Sequence, residues 1–141
     1  MEFRFLTEND MDKVSAMYAE TFNSEPWCEK WTKRTASKRL LQMLKNEASF
    51  GMVAVENGIV GMILGEEKQY FDGTAFMVNE FCVKNSERGK GIGTALLNKL
   101  EDELKKRGIR AVELCTIPEE EGFYKKNGYY KSETVIMGKE L

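Results

Sequence analysis

The sequence predicts an α/β fold, with an α+β arrangement in which helices cover both faces of a central, mixed and mostly antiparallel sheet. Three observations favour this class. Helical and strand periodicities alternate along the chain, an Asn-Gly dipeptide joins two apolar runs, and a glycine-rich loop links a strand to the clearest helix. Because the 141 residues contain no repeat and no linker-like stretch, we expect a single domain over residues 1–141.

The N-terminal half is predicted to form a strand, two helices and a hairpin. Thr7 is a candidate N-cap, with Asp10 three residues later, and apolar residues at helical spacing follow. Asn57-Gly58 tolerates the two positive φ angles that a tight hairpin turn requires. The predicted elements are a strand at 2–6, a helix after Thr7, a helix at 32–46, and strands at 50–55 and 59–64.

The C-terminal half begins with a βαβ pattern. Ile92, Leu96, Leu100 and Leu104 recur every four residues on one helix face, and Gly108 ends that helix. The two flanking strands should therefore be parallel and joined by a right-handed crossover. The predicted elements are a strand at 74–83, a helix at 91–107, a strand at 109–116, a short helix at 119–127, and one or two strands within 129–139.

Composition excludes several classes of function. The chain has no histidine, which removes Ser-His and Cys-His triads, and its three cysteines lie far apart. A net charge of −2 offers no general attraction to nucleic acid. We find no membrane-spanning run and no signal peptide, so we expect a cytoplasmic protein without a membrane partner or a metal site.

A glycine loop carries the strongest functional signal. Alternate glycines at Gly89, Gly91 and Gly93 remove side chains where a ligand would approach the backbone, and a helix begins there. Unpaired amides at a helix N-terminus, beside the cations Arg88 and Lys90, suit a pyrophosphate. The alternative is a tight strand-to-helix turn without a ligand.

Two other phosphate-binding motifs fit this loop poorly. The P-loop pattern requires Ser or Thr after Gly-Lys, but Gly91 follows Lys90. The dinucleotide fingerprint requires a later glycine that is absent here, although Glu113 lies at the distance of a ribose-binding carboxylate. Nucleotide binding is therefore the weaker interpretation.

Two motifs resemble those of the GNAT superfamily of N-acetyltransferases. The first matches the family's Arg/Gln-x-x-Gly-x-Gly/Ala core at Arg88, Gly91 and Gly93. The second, aromatic-Tyr-x-Lys-x-Gly-aromatic, is matched from Phe123 to Tyr129. The predicted element order is also that of the family, so the resemblance implies a GNAT-like fold over essentially the whole chain.

The resemblance implies that acetyl-CoA is the acetyl donor. The backbone of Cys82 and Val83 would pair with its pantetheine arm, and the loop amides would hold its pyrophosphate. The implied pyrophosphate-binding residues are Arg88, Gly89, Lys90, Gly91, Ile92, Gly93 and Thr94. One departure is Ile117, since the family often has a pantetheine-contacting Asn there.

Acetyl transfer from a thioester to an amine requires a general base more than a general acid. A lysine-like amine is neutral only about 0.04% of the time at pH 7, so removing its proton is worth roughly 4–5 kcal/mol. Glu80 is the candidate base, because a carboxylate in an apolar strand is costly unless paired or useful, and Asn79 is an alternative for orienting water. The motif match makes Tyr124 the candidate that assists the departing thiolate. Cys82 is interpreted as a packing residue.

The resemblance implies that the acceptor is a primary amine, which could belong to a polyamine, an amino sugar, an amino acid or a protein. Trp27, Trp31 and Glu25 lie between the first two helices, and aromatic faces with carboxylates suit a cationic amine. The alternative is that both tryptophans cap the core. The alternative function is an acetyl-CoA-binding sensor with little turnover. Exposed terminal strands and the resemblance also suggest a homodimer.

Overall fold

The computed structural model describes residues 1–141 and contains one five-stranded sheet and four α-helices. Short 3₁₀ turns precede α1, α3 and α4. The elements are β1 Glu2–Phe5, α1 Met11–Asn23, α2 Lys33–Leu44, β2 Ser49–Val55, β3 Ile59–Tyr70, β4 Gly73–Val83, α3 Ile92–Lys106, β5 Ala111–Leu114 and α4 Glu121–Lys126. None of the helices is both long enough and apolar enough to cross a membrane.

The strands follow one another across the sheet in the order β1-β2-β3-β4-β5. Each of the first three pairs is antiparallel, whereas β4 and β5 are parallel and α3 connects them. Asn57 and Gly58 at the β2–β3 turn have φ values of 53° and 109°, as the hairpin prediction requires. The predicted mixed sheet with one βαβ unit is confirmed.

Helices cover both faces of the sheet. On one face α1 and α2 bury a cluster that includes Val14, Leu40 and Met62. On the other face α3 buries Leu96 and Leu100 against the sheet, as its four-residue spacing predicts. β4 contributes side chains to both clusters, and the residues at its C-terminal end line the candidate site.

A bulge interrupts β4 at Asn79. Val78 lies opposite Gly65 and Glu80 lies opposite Leu64, so Asn79 has no partner of its own on β3. An extra residue in one strand reverses the face to which every later side chain points. The bulge therefore decides which β4 side chains meet which helices.

The effect of the bulge is visible in the packing. Val78 before it packs on the α3 side, and so do Phe81 and Val83 after it. Cys82 instead belongs to the cluster under α1 and α2, and Glu80 pairs with a residue of α2. An unbroken alternation would have placed Glu80 with Val78 among the α3 contacts.

The structure corrects two strand predictions. β3 continues to Tyr70 rather than ending at Leu64, because its second half pairs with the start of β4. The predicted strands within 129–139 are wrong: this segment forms no ladder, and Val135 and Met137 are exposed. Apolar β-formers alone do not make a strand, because a strand also needs a partner backbone.

Candidate active site

A cleft of about 610 Å³ opens between the end of β4, the start of α3 and α4. The cleft brings together most of the residues that the sequence predicts for the site. These are Trp27, Glu80, Cys82, Val83, Arg88, Gly89, Gly91, Ile92, Gly93, Thr94 and Tyr124. Ile117 and Asn79 line it as well.

One wall of the cleft is an open strand edge. β5 pairs only with Ala75–Val78 of β4 and ends at Leu114, whereas β4 continues to Val83. The last residues of β4 are therefore bonded to β3 on one side and have no strand on the other. An extended ligand can add to such an edge as a further strand.

The register shows which backbone groups are available on that edge. The Lys84 amide donates to the Val60 carbonyl of β3 at 2.8 Å. In an antiparallel strand, the backbone N–H and C=O groups of successive residues point alternately to the two sides of the strand. Cys82 therefore directs its backbone towards β3. Phe81 and Val83 direct theirs into the cleft, so the predicted backbone contact of Val83 fits this edge, whereas Phe81 takes the place predicted for Cys82.

The floor of the cleft is the glycine loop. Gly89 and Gly91 have φ values of 77° and 81°, a left-handed conformation that side chains rarely adopt. No heavy atom lies within 4 Å of a Cβ built on either residue, so open space lies above them. At Gly93 the same Cβ would lie 3.3 Å from the ring of Phe123, so here glycine permits close packing of α3 on α4.

The amides of this loop form an anion site. None of the backbone N–H groups from Gly89 to Thr94 donates to the backbone, and the first intrahelical donor of α3 is Ala95, at 3.0 Å from the Gly91 carbonyl. The N-terminus of a helix as long as α3 carries a partial positive charge. The free amides and the open space above the glycines together fit the pyrophosphate of a ligand such as acetyl-CoA.

The cations of the loop already have partners. An amine nitrogen of the Arg88 guanidinium lies 3.3 Å from a Glu120 carboxylate oxygen, and the guanidinium lies 5.6 Å from the ring centre of Trp27. Lys90 pairs with Glu87 at 2.9 Å and does not line the cleft. Arg88 is therefore the loop cation that lines the cleft.

Tyr124 stands on α4 at the wall opposite the open strand edge. Its ring packs edge-on against Phe123 and Phe81, with centres 5.1 and 6.4 Å apart. Burial, and secondly the charge of Glu120, raise the pKa of Tyr124 to about 12. The neighbouring Tyr129 hydroxyl donates to Glu101 at 2.8 Å, whereas the Tyr124 hydroxyl is left for a ligand of the cleft.

Glu80 is buried beneath α1 and α2, with 7% of its surface exposed. Arg39 of α2 donates to one of its carboxylate oxygens at 2.5 Å. Tyr18 of α1 lies close by and, like Arg39, acts to lower the pKa of Glu80. Burial raises the pKa of Glu80, and the opposing effect of Arg39 does not cancel this rise. Glu80 is thus a carboxylate of enhanced basicity that lines the cleft.

Cys82 is buried, and burial raises the pKa of its thiol to about 12. At neutral pH almost none of it is thiolate, so it is a poor nucleophile. This agrees with its interpretation as a packing residue.

Two predicted acceptor residues lie outside the cleft. Trp31 packs edge-on against Tyr18, with ring centres 5.2 Å apart, and Arg39 lies over its ring. Its amide donates to the Asn23 side chain at 2.7 Å, which folds the connecting loop back on α1. Glu25 is exposed on the same loop. Only Trp27 of the predicted acceptor residues reaches the cleft.

Sequence reasoning missed Arg39, Tyr18 and Glu120. Arg39 and Glu80 are separated by 41 residues, and no local pattern connects them. Glu120 belongs to an acidic run, but its pairing with Arg88 depends on how α4 is placed beside the loop. The position of Glu80 within an apolar strand is the one feature of the sequence that points to its pairing.

Comparison with known proteins agrees with this geometry. Among solved structures, the chain is similar to a possible acetyltransferase from Clostridium difficile 630, with a TM-score of 0.83, 18% identity, and coverage of 99% and 97% of the two chains. It is also similar to a predicted acetyltransferase with acetyl-CoA from Clostridium acetobutylicum, with a TM-score of 0.77, 18% identity, and coverage of 98% and 95%. At these identities the likeness shows the fold alone.

A third similar structure is an aminoglycoside acetyltransferase from an uncultured soil metagenomic sample, in complex with sisomicin. Its TM-score is 0.74, its identity 18%, and the coverage 99% of this chain and 95% of that chain. The family model of the acetyltransferase (GNAT) family matches residues 11–129, which span both motifs and the whole cleft floor. The chain therefore belongs to the GNAT family of acetyltransferases, which use acetyl-CoA as the acetyl donor.

Proposed function

We propose that this chain, acting as a single domain, transfers an acetyl group from acetyl-CoA directly to a primary amine. The observation that carries the proposal is the convergence of three features on one cleft: an open strand edge, an anion-binding loop, and a tyrosine whose hydroxyl has no partner. Acetyl-CoA supplies the acetyl group as a thioester. The remaining functions fall to residues of the chain itself.

The donor site is proposed to lie along β4 and the glycine loop. Phe81 and Val83 would pair through their backbones with the pantetheine amides, and the amides from Gly89 to Thr94 would hold the pyrophosphate, assisted by Arg88. This arrangement directs the thioester end towards Tyr124. The exposed Lys90 would contribute only a surface charge.

Tyr124 is proposed to hold the proton that the leaving thiolate receives. Because its pKa is raised to about 12, the hydroxyl is protonated throughout the neutral range. A hydrogen bond from it would stabilise negative charge on sulfur, in a setting where its apolar neighbours exclude water.

Glu80, or a water molecule that it orients, is proposed to accept the proton of the attacking amine. A general base works best when its pKa lies near the working pH. Because its pKa is raised, Glu80 meets this condition better than an exposed glutamate would. Arg39 holds the carboxylate in place, and Trp27 offers an aromatic face to a cationic acceptor.

The alternative is a sensor that binds acetyl-CoA without turnover. A thiol-release assay with a panel of amines separates the two functions. The panel should include an aminoglycoside, a polyamine, an amino acid and a peptide with a free N-terminus. We expect at least one amine to raise thiol release well above the rate without protein, whereas thermal stabilisation by acetyl-CoA with no release from any amine would favour the sensor.

Gly91→Ala tests the donor site. We expect the Kd of acetyl-CoA to rise about tenfold, because the new methyl group enters the ligand's space and the residue must keep a positive φ. The measurement is calorimetric titration with acetyl-CoA.

Gly108→Ala is the matched control. Gly108 has a φ of 75° and equally open surroundings, but it lies at the far end of α3. Both variants should lose about 1 kcal/mol of unfolding free energy. Only Gly91→Ala should weaken binding, and equal Kd values for both variants would contradict the proposed site.

A homodimer and a cytoplasmic location stay predictions. β5 is the last strand of the sheet and has an unpaired outer edge, and the C-terminal segment exposes Val135, Ile136 and Met137. Such features favour association with another chain.

A further inference from the structure

Arg88 lies between two other side chains of the cleft, those of Glu120 and Trp27. The Glu120 carboxylate approaches it from the start of α4, 32 residues later in the chain, and the ring of Trp27 lies against it from the α1 side. Both Arg88 and Glu120 line the cleft, and 24% of the Glu120 side chain is exposed. The pair therefore spans the floor of the cleft where the anion site lies.

Glu120 and a pyrophosphate would use the same donor groups. A guanidinium binds carboxylate and phosphate oxygens with the same N–H geometry, so the two anions compete for Arg88. Two anions side by side would also repel each other. Binding of acetyl-CoA at this loop would therefore weaken the ion pair, which rests on one contact of 3.3 Å between Arg88 and Glu120.

The Lys90–Glu87 pair is different. It joins residues three positions apart in the loop, and Glu87 lines the cleft whereas Lys90 does not. Glu120 is the carboxylate paired with Arg88, the loop cation that does line the cleft.

We propose that Glu120 is an internal competitor of the CoA pyrophosphate for Arg88, and that it weakens the binding of acetyl-CoA and CoA and speeds their exchange. The inference rests on the acetyl-CoA site of the proposed function, and it is independent of the acceptor and of turnover. Glu120 is a positioning residue, because it acts on the ligand through Arg88.

A second effect of the Glu120 charge supports this role. Its charge contributes to the raised pKa of Tyr124, one turn further along α4. The same carboxylate therefore faces both the pyrophosphate end of the cleft and the proposed proton donor. Its movement away from Arg88 would change the electrostatic environment at both ends of the donor site.

Glu120→Gln removes the charge and keeps the shape. We expect the Kd of acetyl-CoA to fall about fivefold at low ionic strength, and the gain to shrink in high salt as screening increases. The CoA dissociation rate should fall in parallel. The matched control is Glu119→Gln, which removes an exposed charge outside the cleft and should leave the Kd within about twofold of the native value.

Arg88→Gln distinguishes competition from simple repulsion. If Glu120 competes for Arg88, the gain from Glu120→Gln should drop below about twofold when Arg88 is absent. An equal gain with and without Arg88 would overturn the proposal, as would no gain or a loss in Glu120→Gln alone. Binding is the readout throughout, so a chain that binds acetyl-CoA but transfers no acetyl group would refute the proposed function and leave this test intact.

Discussion

Glu80→Gln is expected to lower kcat/KM for the amine acceptor by about 10²-fold or more, since general base catalysis is worth this much. The base must be deprotonated, so the native rate should fall as the pH drops through the pKa of Glu80. Burial raises that pKa, so this fall should lie above the usual range of a glutamate. The pH dependence of kcat/KM measures it, and Glu80→Gln should lack this acidic limb.

Arg39→Gln provides the complementary perturbation. Arg39 opposes the rise in the pKa of Glu80, so its loss should raise that pKa further and move the acidic limb to higher pH. A carboxylate that only anchors α2 would not move the limb. A native rate and pH profile in Glu80→Gln would show that another group, or water oriented by Asn79, accepts the proton.

Tyr124→Phe is expected to lower kcat about 30- to 100-fold and to leave the Kd of acetyl-CoA nearly unchanged. The ring keeps its packing against Phe81 and Phe123, and only the hydroxyl is lost. Single-turnover kinetics together with calorimetric titration separate the two effects. The matched control is Tyr129→Phe, since that hydroxyl is bonded to Glu101 outside the cleft. Unchanged turnover in Tyr124→Phe would remove this residue from the mechanism.

The pKa of Tyr124 determines how kcat should respond to alkaline pH. The proposed role requires the protonated form of Tyr124, and a pKa of about 12 keeps the hydroxyl protonated throughout the neutral range. We therefore expect no decline of kcat up to about pH 10, while the growing fraction of neutral amine raises the rate at low amine concentration. A decline near pH 8 would point to a different proton donor.

Several features of this fold could be predicted from the sequence, because each depends on a local pattern of residues. The spacing of Ile92, Leu96 and Leu100 defined α3, and Asn57-Gly58 defined the hairpin. The alternating glycines around the start of α3 predicted an anion site, and the structure shows free amides there. Each of these signals lies within a few residues, because helix periodicity and turn geometry depend on neighbours in the chain.

Only the tertiary structure decided how distant groups meet. Arg39 reaches Glu80 because the bulge at Asn79 turns that side chain towards α2, and Glu120 reaches Arg88 because α4 lies beside the loop. The residues at 129–139 have the composition of a strand but remain unpaired. Periodicity assigns a side chain to a face of its own element, but it does not identify the group opposite. Pairing across the fold depends on packing between elements, which no local pattern encodes.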